Sequence, residues 1–419
     1  MSKKTYTKVQ AMLEANRCLM CADAPCVCDC PAGVDARAFI RKVRFDNLDG
    51  AVRMLRRYNV LAGSCAYICP TGVLCGKECS AESLSRPIDI QGLQRFVMEY
   101  ERRVGMIEPL ASKRTGKRIA VVGAGPAGLG CAAELAGRDH SVTVFEREAA
   151  AGGMLGLCIP SFRLPLEVLD FEIEFIRKLG VEFAFNTSVD DPKRLLAEGF
   201  DAVFVATGLD KPRESGFVGA DIPGVYQALD FLRAAKRGEI QDLGKRAVVI
   251  GGGDTALDAA RTARSLGVEC LVLYRRTQRE MPAYPEEIDA AWDEGVEFYF
   301  RTVVHAVHGP DRTTGARCVR VRWREKVPGL PHAFDVEGTE FTIACDSVII
   351  ATGHDPASTF GLRTTPGGML AVDRATFATS VPGVFAGGDI AFGGGTAARA
   401  VGHGRLAALA IEGYLGVRP

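Results

Sequence analysis

Two rhythms of apolar and polar positions divide the chain. Up to about residue 110 the rhythm is helical. "DARAFIRKVRF" (35–45) and "LDGAVRMLRRY" (48–58) place apolar residues at helical spacing, and "IDIQGLQRFVMEYERR" (88–103) predicts a longer helix. The polar stretch "ASKRTGK" (111–117) reads as a linker. From Lys117 the rhythm changes to short apolar runs that alternate with helical segments, which predicts parallel strands with crossover helices. "KRIAVVGAGPAGLGCAAELAGRDHSVTVFERE" (117–148) is a strand, a glycine turn, a helix and a second strand that ends at Glu146. "KRAVVIGGGDTALDAARTARSLGVECLVLYRRT" (245–277) repeats that unit. Each copy is followed by an apolar run ending in Ala-Thr-Gly, "AVFVATG" (202–208) and "SVIIATG" (347–353). The expected fold class is therefore α/β, with two Rossmann-like dinucleotide-binding domains behind an α-helical N-terminal domain. One nucleotide domain is inserted in the other. The expected bounds are 1–110 for the helical domain, 117–240 with 350–419 for the first nucleotide domain, and 241–349 for the inserted one.

Composition narrows the chemistry. With 419 residues there is room for two or three domains. Lys plus Arg and Asp plus Glu each total 51, so no net field draws the chain to nucleic acid or to a membrane surface. No stretch reaches the ~18 apolar residues of a membrane span, and the first residues lack the apolar run of a secretion signal. A cytoplasmic location is the expectation. The 14 cysteines are unevenly placed: nine lie between Cys18 and Cys79. A disulfide framework suits small secreted domains, which this chain does not resemble, so clustered thiols point to metal or redox work. The scattered Cys131, Cys158, Cys270, Cys318 and Cys345 are expected to be buried core thiols.

The first glycine motif is Gly123-x-Gly125-x-x-Gly128, with Pro126 and Ala127 inside it. Its first glycine makes the turn, the second admits a pyrophosphate to the backbone, and the third lets helix and strand pack closely. The helix N-terminus offers N–H groups to the phosphates, and Glu146 is placed to accept from a ribose hydroxyl. The second motif is Gly251-x-Gly253-x-x-Ala256, enclosing Asp254 and Thr255. Its second strand ends not in an acid but in Arg275 and Arg276, which predicts a nicotinamide site that takes the 2′-phosphate of NADPH in preference to NADH. Solvated surface charge is the alternative reading of the two arginines. Ala351 and Gly353, from the second Ala-Thr-Gly run, join the cofactor-binding set.

Near the C-terminus "GVFAGGDIAFGGGTAARAVGHGRLAALAI" sets Gly387-Gly388-Asp389 between an apolar strand and a helix. With this piece the sequence resembles the two-dinucleotide flavoprotein reductases. The resemblance implies FAD in the first site and NAD(P)H in the second. Around the flavin it implies Gly152, Gly153, Met154, Arg163, Thr207, Gly388, Asp389 and Thr396. No redox Cys-x-x-Cys follows residue 100, so electrons need another exit.

The cysteine runs supply one. Cys18-x2-Cys21-x4-Cys26-x3-Cys30-Pro31 is close to the ferredoxin-type run, and Cys65-x3-Cys69-Pro70-x4-Cys75-x3-Cys79 follows. Two 4Fe–4S clusters are expected. Zinc is the rival, but the first hundred residues hold no His and zinc sites lack the Cys-Pro signature. Spacing alone leaves open which of the nine thiols are spectators. Over nearly its whole length the chain resembles the flavin and iron–sulfur subunit of bacterial dihydropyrimidine dehydrogenases, and it is also similar to the small subunit of glutamate synthases and to related ferredoxin–NADP oxidoreductases. The first resemblance implies one cluster on Cys18, Cys21, Cys26 and Cys79. It implies another on Cys30, Cys69 and Cys75 with Gln94 as the fourth ligand. Cys28 and Cys65 are then non-ligands. Glutamate synthase relatives usually carry an acid at the position of Gln94.

No nucleophile or acid–base constellation for substrate chemistry is evident, so no catalytic residue is assigned. The expected role is electron input: NADPH to FAD to the clusters to a hetero-oligomeric partner. By the resemblance, that partner binds FMN and reduces uracil or thymine. The rival readings are a glutamate synthase small subunit, a ferredoxin–NADP oxidoreductase subunit, and a redox-sensing or scaffold protein with structural clusters.

Overall fold

A computed structural model describes residues 5–107, 116–239, 242–323 and 333–416, so most of the expected 111–117 linker lies outside the described residues. The chain divides into two compact units. One comprises Met1–Gly156, Ser161–Leu209 and Asp355–Pro419; the other comprises Leu157–Pro160 and Asp210–His354.

The first unit opens with helices α1 (Lys8–Asn16), α2 (Pro25–Cys28), α3 (Ala36–Arg44), α4 (Leu48–Tyr58), α5 (Ala62–Ile68) and α6 (Ile90–Val104). Side-chain caps start four of them. Thr7 and Gln10 form a reciprocal capping box, and Asp35, Asn47 and Asp89 accept from the N–H groups of Ala38, Gly50 and Gly92. The rhythm that predicted α3, α4 and α6 is the rhythm of their buried faces: Phe39, Ile40 and Val43; Ala51, Val52 and Leu55; Leu93, Phe96 and Val97. Helix α5 had no such signal. Ala62, Gly63, Ser64, Cys65 and Ala66 are all buried, so it has no polar face to set a period.

Behind the helices lies a five-stranded parallel sheet. Its order is Val384–Ala386, Ala202–Val205, Arg118–Val122, Ser141–Phe145, Glu182–Ala184. Helix α7 (Pro126–Ala136) crosses from the third of these strands to the fourth, and the C-terminal helix Ala397–Tyr414 packs on α7. That packing is backbone to backbone. A Cβ on Gly404 would lie 2.0 Å from Ala127 O, and one on Gly130 would lie 2.8 Å from Val401 O. The same C-terminal helix carries the cysteine domain, since a Cβ on Gly402 would sit 2.0 Å from Pro31 O and Arg405 donates to Ala32 O at 3.1 Å.

A buried carboxylate makes a second tie. Glu172, on the Leu166–Lys178 helix, is 1% exposed. It accepts from Gly63 N (2.6 Å), Ser64 N (3.0 Å) and Ser64 Oγ (2.6 Å), with Arg56 at 3.5 Å. Burial pushes its carboxyl upward, while Arg56 and these donors pull it back. Arg56 also pairs with Glu101 at 2.9 Å. Glu172→Ala strands two buried N–H groups and unbalances the network. We expect a loss of about 3–5 kcal/mol, the cost of breaking a buried pair, read as a lower denaturant midpoint; Glu172→Gln should lose less. An unchanged midpoint for the alanine variant would show the contact to be dispensable.

The second unit has its own five-stranded parallel sheet, in the order Val225–Gln227, Ser347–Ile350, Arg246–Ile250, Glu269–Tyr274, Glu297–Phe300. An antiparallel group of Thr302–His308, Gly315–Trp323, Ala333–Asp335 and Phe341–Ala344 completes it. Because Val225–Gln227 pairs with Ser347–Ile350, residues 210–239 belong with this second sheet. The structural boundary at 210 thus precedes the one expected at 241. The five scattered cysteines are all buried. Among the described residues no helix is long and apolar enough to cross a membrane.

Candidate functional site

At the first glycine motif the chain leaves its strand through Gly123, whose φ of +103° and closeness to Ala206 O (2.7 Å from a Cβ there) exclude a side chain. Gly125 precedes the first turn of α7, and a Cβ there would meet only open space. Pro126 is preorganised for the first helical position. A Cβ on Gly128 would lie 1.9 Å from Gly123 O, so the third glycine serves packing. Glu146 is buried and accepts from Ala124 N (2.7 Å) and Glu148 N (2.9 Å), which aims its carboxylate at the mouth of the turn.

Other predicted residues converge on this turn. A Cβ on Gly153 would lie 2.9 Å from the Cα of Gly125, and Met154 opens a short helix just beyond. Thr207 Cα lies 3.2 Å from where a Gly123 side chain would begin. Gly388 sits against Ala127, and Asp389 follows it, with its carboxyl pushed up to about 6 by desolvation against the pull of Arg399. A carboxylate so poorly solvated suits a hydroxyl donor such as a ribityl chain carries. Thr396 caps the C-terminal helix by accepting from Arg399 N at 3.1 Å. Arg163 is half-buried in the segment before the Leu166–Lys178 helix.

In the second unit Gly251 (φ +150°) turns beside Ala351, whose carbonyl oxygen would lie 2.5 Å from a Cβ. Gly253 precedes the Asp254–Ser265 helix; Asp254 accepts from Tyr284 N at 3.2 Å, Thr255 is half-buried and Ala256 is buried. Gly353 has φ +108°, with the guanidinium of Arg213 beside it. Arg275 is exposed and Arg276 half-buried just past the Glu269–Tyr274 strand. Arg301 joins them, its N–H donating to Arg276 O at 3.0 Å. Sequence reasoning missed Arg213 and Arg301, which come from distant segments with no motif around them.

The nine clustered cysteines separate into two groups and one outlier. Cys18, Cys21, Cys26 and Cys79 line a single cavity whose remaining wall includes Leu19, Ile40 and Ile88. Desolvation raises the Cys18 thiol and takes Cys26 to about 11, and the neighbouring thiols add to both. Ile88 N donates to Cys79 Sγ at 3.4 Å. Cys30, Cys65, Cys69 and Cys75 form the second group. Cys75 is pushed to about 12 by desolvation and by Cys30. Cys69 is raised well above its ordinary value by its hydrogen bond with Cys65, by burial, and by Cys75 and Cys30. Cys28 is exposed, outside both groups. Burial raises these thiols, as it does the scattered core cysteines, so it is their grouping that points to a metal body. Among the described residues no three Cys, His, Asp or Glu side chains converge on one ion position. Thiols ringing a cavity suit a cubane, whose four irons alternate with sulfides at its corners and each take one ligand.

Helix α6 reaches the second group through two glutamines. Gln91 donates to Cys69 O at 2.9 Å, and Gln94 donates to Ala62 O at 2.6 Å, at opposite ends of α5. With its amide nitrogen so engaged, Gln94 keeps its carbonyl oxygen for another partner. Cys65, expected to be a spectator, stands hydrogen-bonded to Cys69 within the group.

Two nucleotide-binding turns, an acid at the first, arginines at the second and two thiol groups in the helical domain define a flavoprotein reductase with an iron–sulfur domain. Its cofactors are FAD, a nicotinamide nucleotide and 4Fe–4S clusters. Family profiles agree. The profile described as pyridine nucleotide-disulphide oxidoreductase matches residues 83–195 and 117–404, and that of dihydropyrimidine dehydrogenase domain II, 4Fe-4S cluster, matches residues 1–106. The chain belongs to the pyridine nucleotide-disulphide oxidoreductase family.

Three relatives show its range. The chain is 36% identical to NAD-dependent dihydropyrimidine dehydrogenase subunit PreT of Escherichia coli, over 98% of this chain and 95% of that one. It is 38% identical to the NADP(+)-dependent formate dehydrogenase subunit beta of Moorella thermoacetica, over 94% of this chain but only 60% of that subunit's length. Identity to the glutamate synthase [NADPH] small chain of E. coli is 33%, over 98% and 93%. Among solved structures, Mycobacterium tuberculosis FprA in complex with NADPH shares the fold, with a TM-score of 0.62 at 20% identity over 72% of this chain and 85% of that one.

Proposed function

We propose that this chain is the electron-input subunit of a dihydropyrimidine dehydrogenase: it oxidises NADPH, and FAD and two 4Fe–4S clusters relay the electrons to an FMN-binding partner that reduces uracil or thymine. Gln94 carries this reading. It lies on α6 and donates to Ala62 O at the start of α5, the helix that carries Cys65 and ends at Cys69. A neutral amide oxygen is the ligand the dihydropyrimidine dehydrogenase pattern calls for. End-to-end similarity to PreT supports it. Similarity to the glutamate synthase small chain over 93% of that chain supports the second reading, a donor to a glutamine-dependent partner.

In this reading Cys18, Cys21, Cys26 and Cys79 hold one cluster, and Cys30, Cys69, Cys75 and Gln94 hold the other. Gly123, Gly125 and the start of α7 bind the FAD pyrophosphate, and Glu146 orients its ribose. Gly251, Gly253 and the Asp254–Ser265 helix do the same for the nicotinamide nucleotide, with Arg275 and Arg276 on its 2′-phosphate.

Alone, the chain should reduce a dye or ferricyanide with NADPH and should not reduce uracil, because it offers no general acid for the pyrimidine ring. Adding the FMN-binding partner should bring uracil reduction, and Gln94→Ala should slow it at the transfer step. Uracil turnover by the isolated chain would refute this division of labour. Reconstitution only with a glutamine-dependent partner would favour the second reading.

A further inference from the structure

Helix α3 carries two cations on the side that meets the first thiol group. Arg37, Ile40 and Arg44 fall at i, i+3 and i+7, one stripe of the helix. Ile40 and Arg37 line the cavity of Cys18, Cys21, Cys26 and Cys79. Arg37 donates to Cys21 O at 2.9 Å and Ala22 O at 3.0 Å. Arg44 donates to Ala15 O (3.1 Å), Asn16 O (3.0 Å) and Cys18 O (2.6 Å). The guanidinium groups thus hold the segment that presents the first two thiols. Their charges are weakly compensated. Arg37 has Asp35 at 3.9 Å, and Arg44, half-buried, has no ion-pair partner among the described residues.

We propose that Arg37 and Arg44 are positioning residues that also raise the reduction potential of the cluster held by Cys18, Cys21, Cys26 and Cys79. The inference rests on the cluster assignment above. Reduction adds one negative charge to a cluster in a largely apolar cavity. Two permanently protonated guanidiniums against its binding segment favour that charge, and Arg37, with 36% of its side chain exposed, does so under partial screening by water. Net charge and hydrogen bonding around the sulfurs are among the terms that set cluster potentials. The second thiol group has guanidiniums of its own, Arg95 donating to Ala66 O at 3.2 Å and Arg405 to Ala32 O at 3.1 Å, so Arg37 and Arg44 are expected to act on the first cluster alone.

The test is a dithionite titration of the full chain followed by electron paramagnetic resonance, with iron counted in each sample. The unmodified chain should show two cluster signals. In Arg44→Gln one of them should need a stronger reductant: its reduced-to-oxidised ratio at a fixed potential should fall about tenfold, equivalent to about 59 mV for one electron. The other signal should stay in place. Arg37→Gln should act in the same direction on the same signal, and Arg37→Lys, which keeps the charge, should restore most of the difference. Iron at the unmodified level with neither signal moved would overturn the proposal, as would equal movement of both. If Arg44→Gln loses iron, the more exposed Arg37→Gln is read in its place. Iron loss in both glutamine variants would show a purely structural role and also overturn it. An unmodified chain without two signals would instead sink the cluster assignment, and this inference with it.

Discussion

Cys69→Ser is expected to halve the chain's iron, from about eight atoms to about four, while FAD stays bound and electron delivery to the partner stops. Cys69 closes α5 and shares the second group with Cys30 and Cys75, so a cubane there loses a corner without it. The flavin site draws on other loops, which is why FAD should be retained. Cys65→Ser is the informative companion. Cys65 is buried in the same group and hydrogen-bonds Cys69, so position alone does not make it a bystander. With Gln94 as fourth ligand, Cys65→Ser should keep about eight irons and shift only the spectrum of the second cluster, because a sulfur contact to a ligand has been changed. If Cys65→Ser loses as much iron as Cys69→Ser while Gln94→Ala loses none, the fourth ligand is a thiol, and the residue-level argument for the dihydropyrimidine dehydrogenase reading falls.

The double substitution Arg275→Ala with Arg276→Ala is expected to cost NADPH about 1.5–3 kcal/mol, the worth of hydrogen bonds to a charged group. That is roughly a 10- to 150-fold fall in kcat/KM at 1.4 kcal/mol per tenfold. NADH, which has no 2′-phosphate, should be oxidised nearly as before. Arg301, held beside Arg276 by a backbone hydrogen bond, should preserve part of the selectivity, and its further removal should erase the rest. The measurement is steady-state dye reduction with each nucleotide. A preference for NADH in the unmodified chain would mean that the arginines serve something other than a phosphate.

Much of this architecture was legible because its signals are local. A glycine turn between a strand and a helix is a few residues long, and each glycine answers to an atom close by: Gly128 to Gly123 O, Gly251 to Ala351 O at the end of the neighbouring strand. The amphipathic periods of α3, α4 and α6 likewise report one buried face each. Helix α5 was silent for the opposite reason: its buried residues run consecutively, so no rhythm marks it. The boundary expected at 241 lies at 210 in the structure because Val225–Gln227 is a three-residue strand whose partner, Ser347–Ile350, is far along the chain.

By itself, the sequence determined the two nucleotide-binding turns, the helical cysteine domain, the ferredoxin-like spacing and the candidate ligands, since each depends on residue types at short separations. How the nine thiols divide was implied only by the resemblance; the structure sets Cys79 in one cavity with Cys18, Cys21 and Cys26 across helices α3 to α5, and groups Cys30 with Cys65, Cys69 and Cys75. It alone set Glu172 under α5, Pro31 on the C-terminal helix and Arg44 on the carbonyl of Cys18. These contacts join segments with no shared motif. They form because buried polar groups and close-packed backbones must be satisfied wherever the chain brings them together.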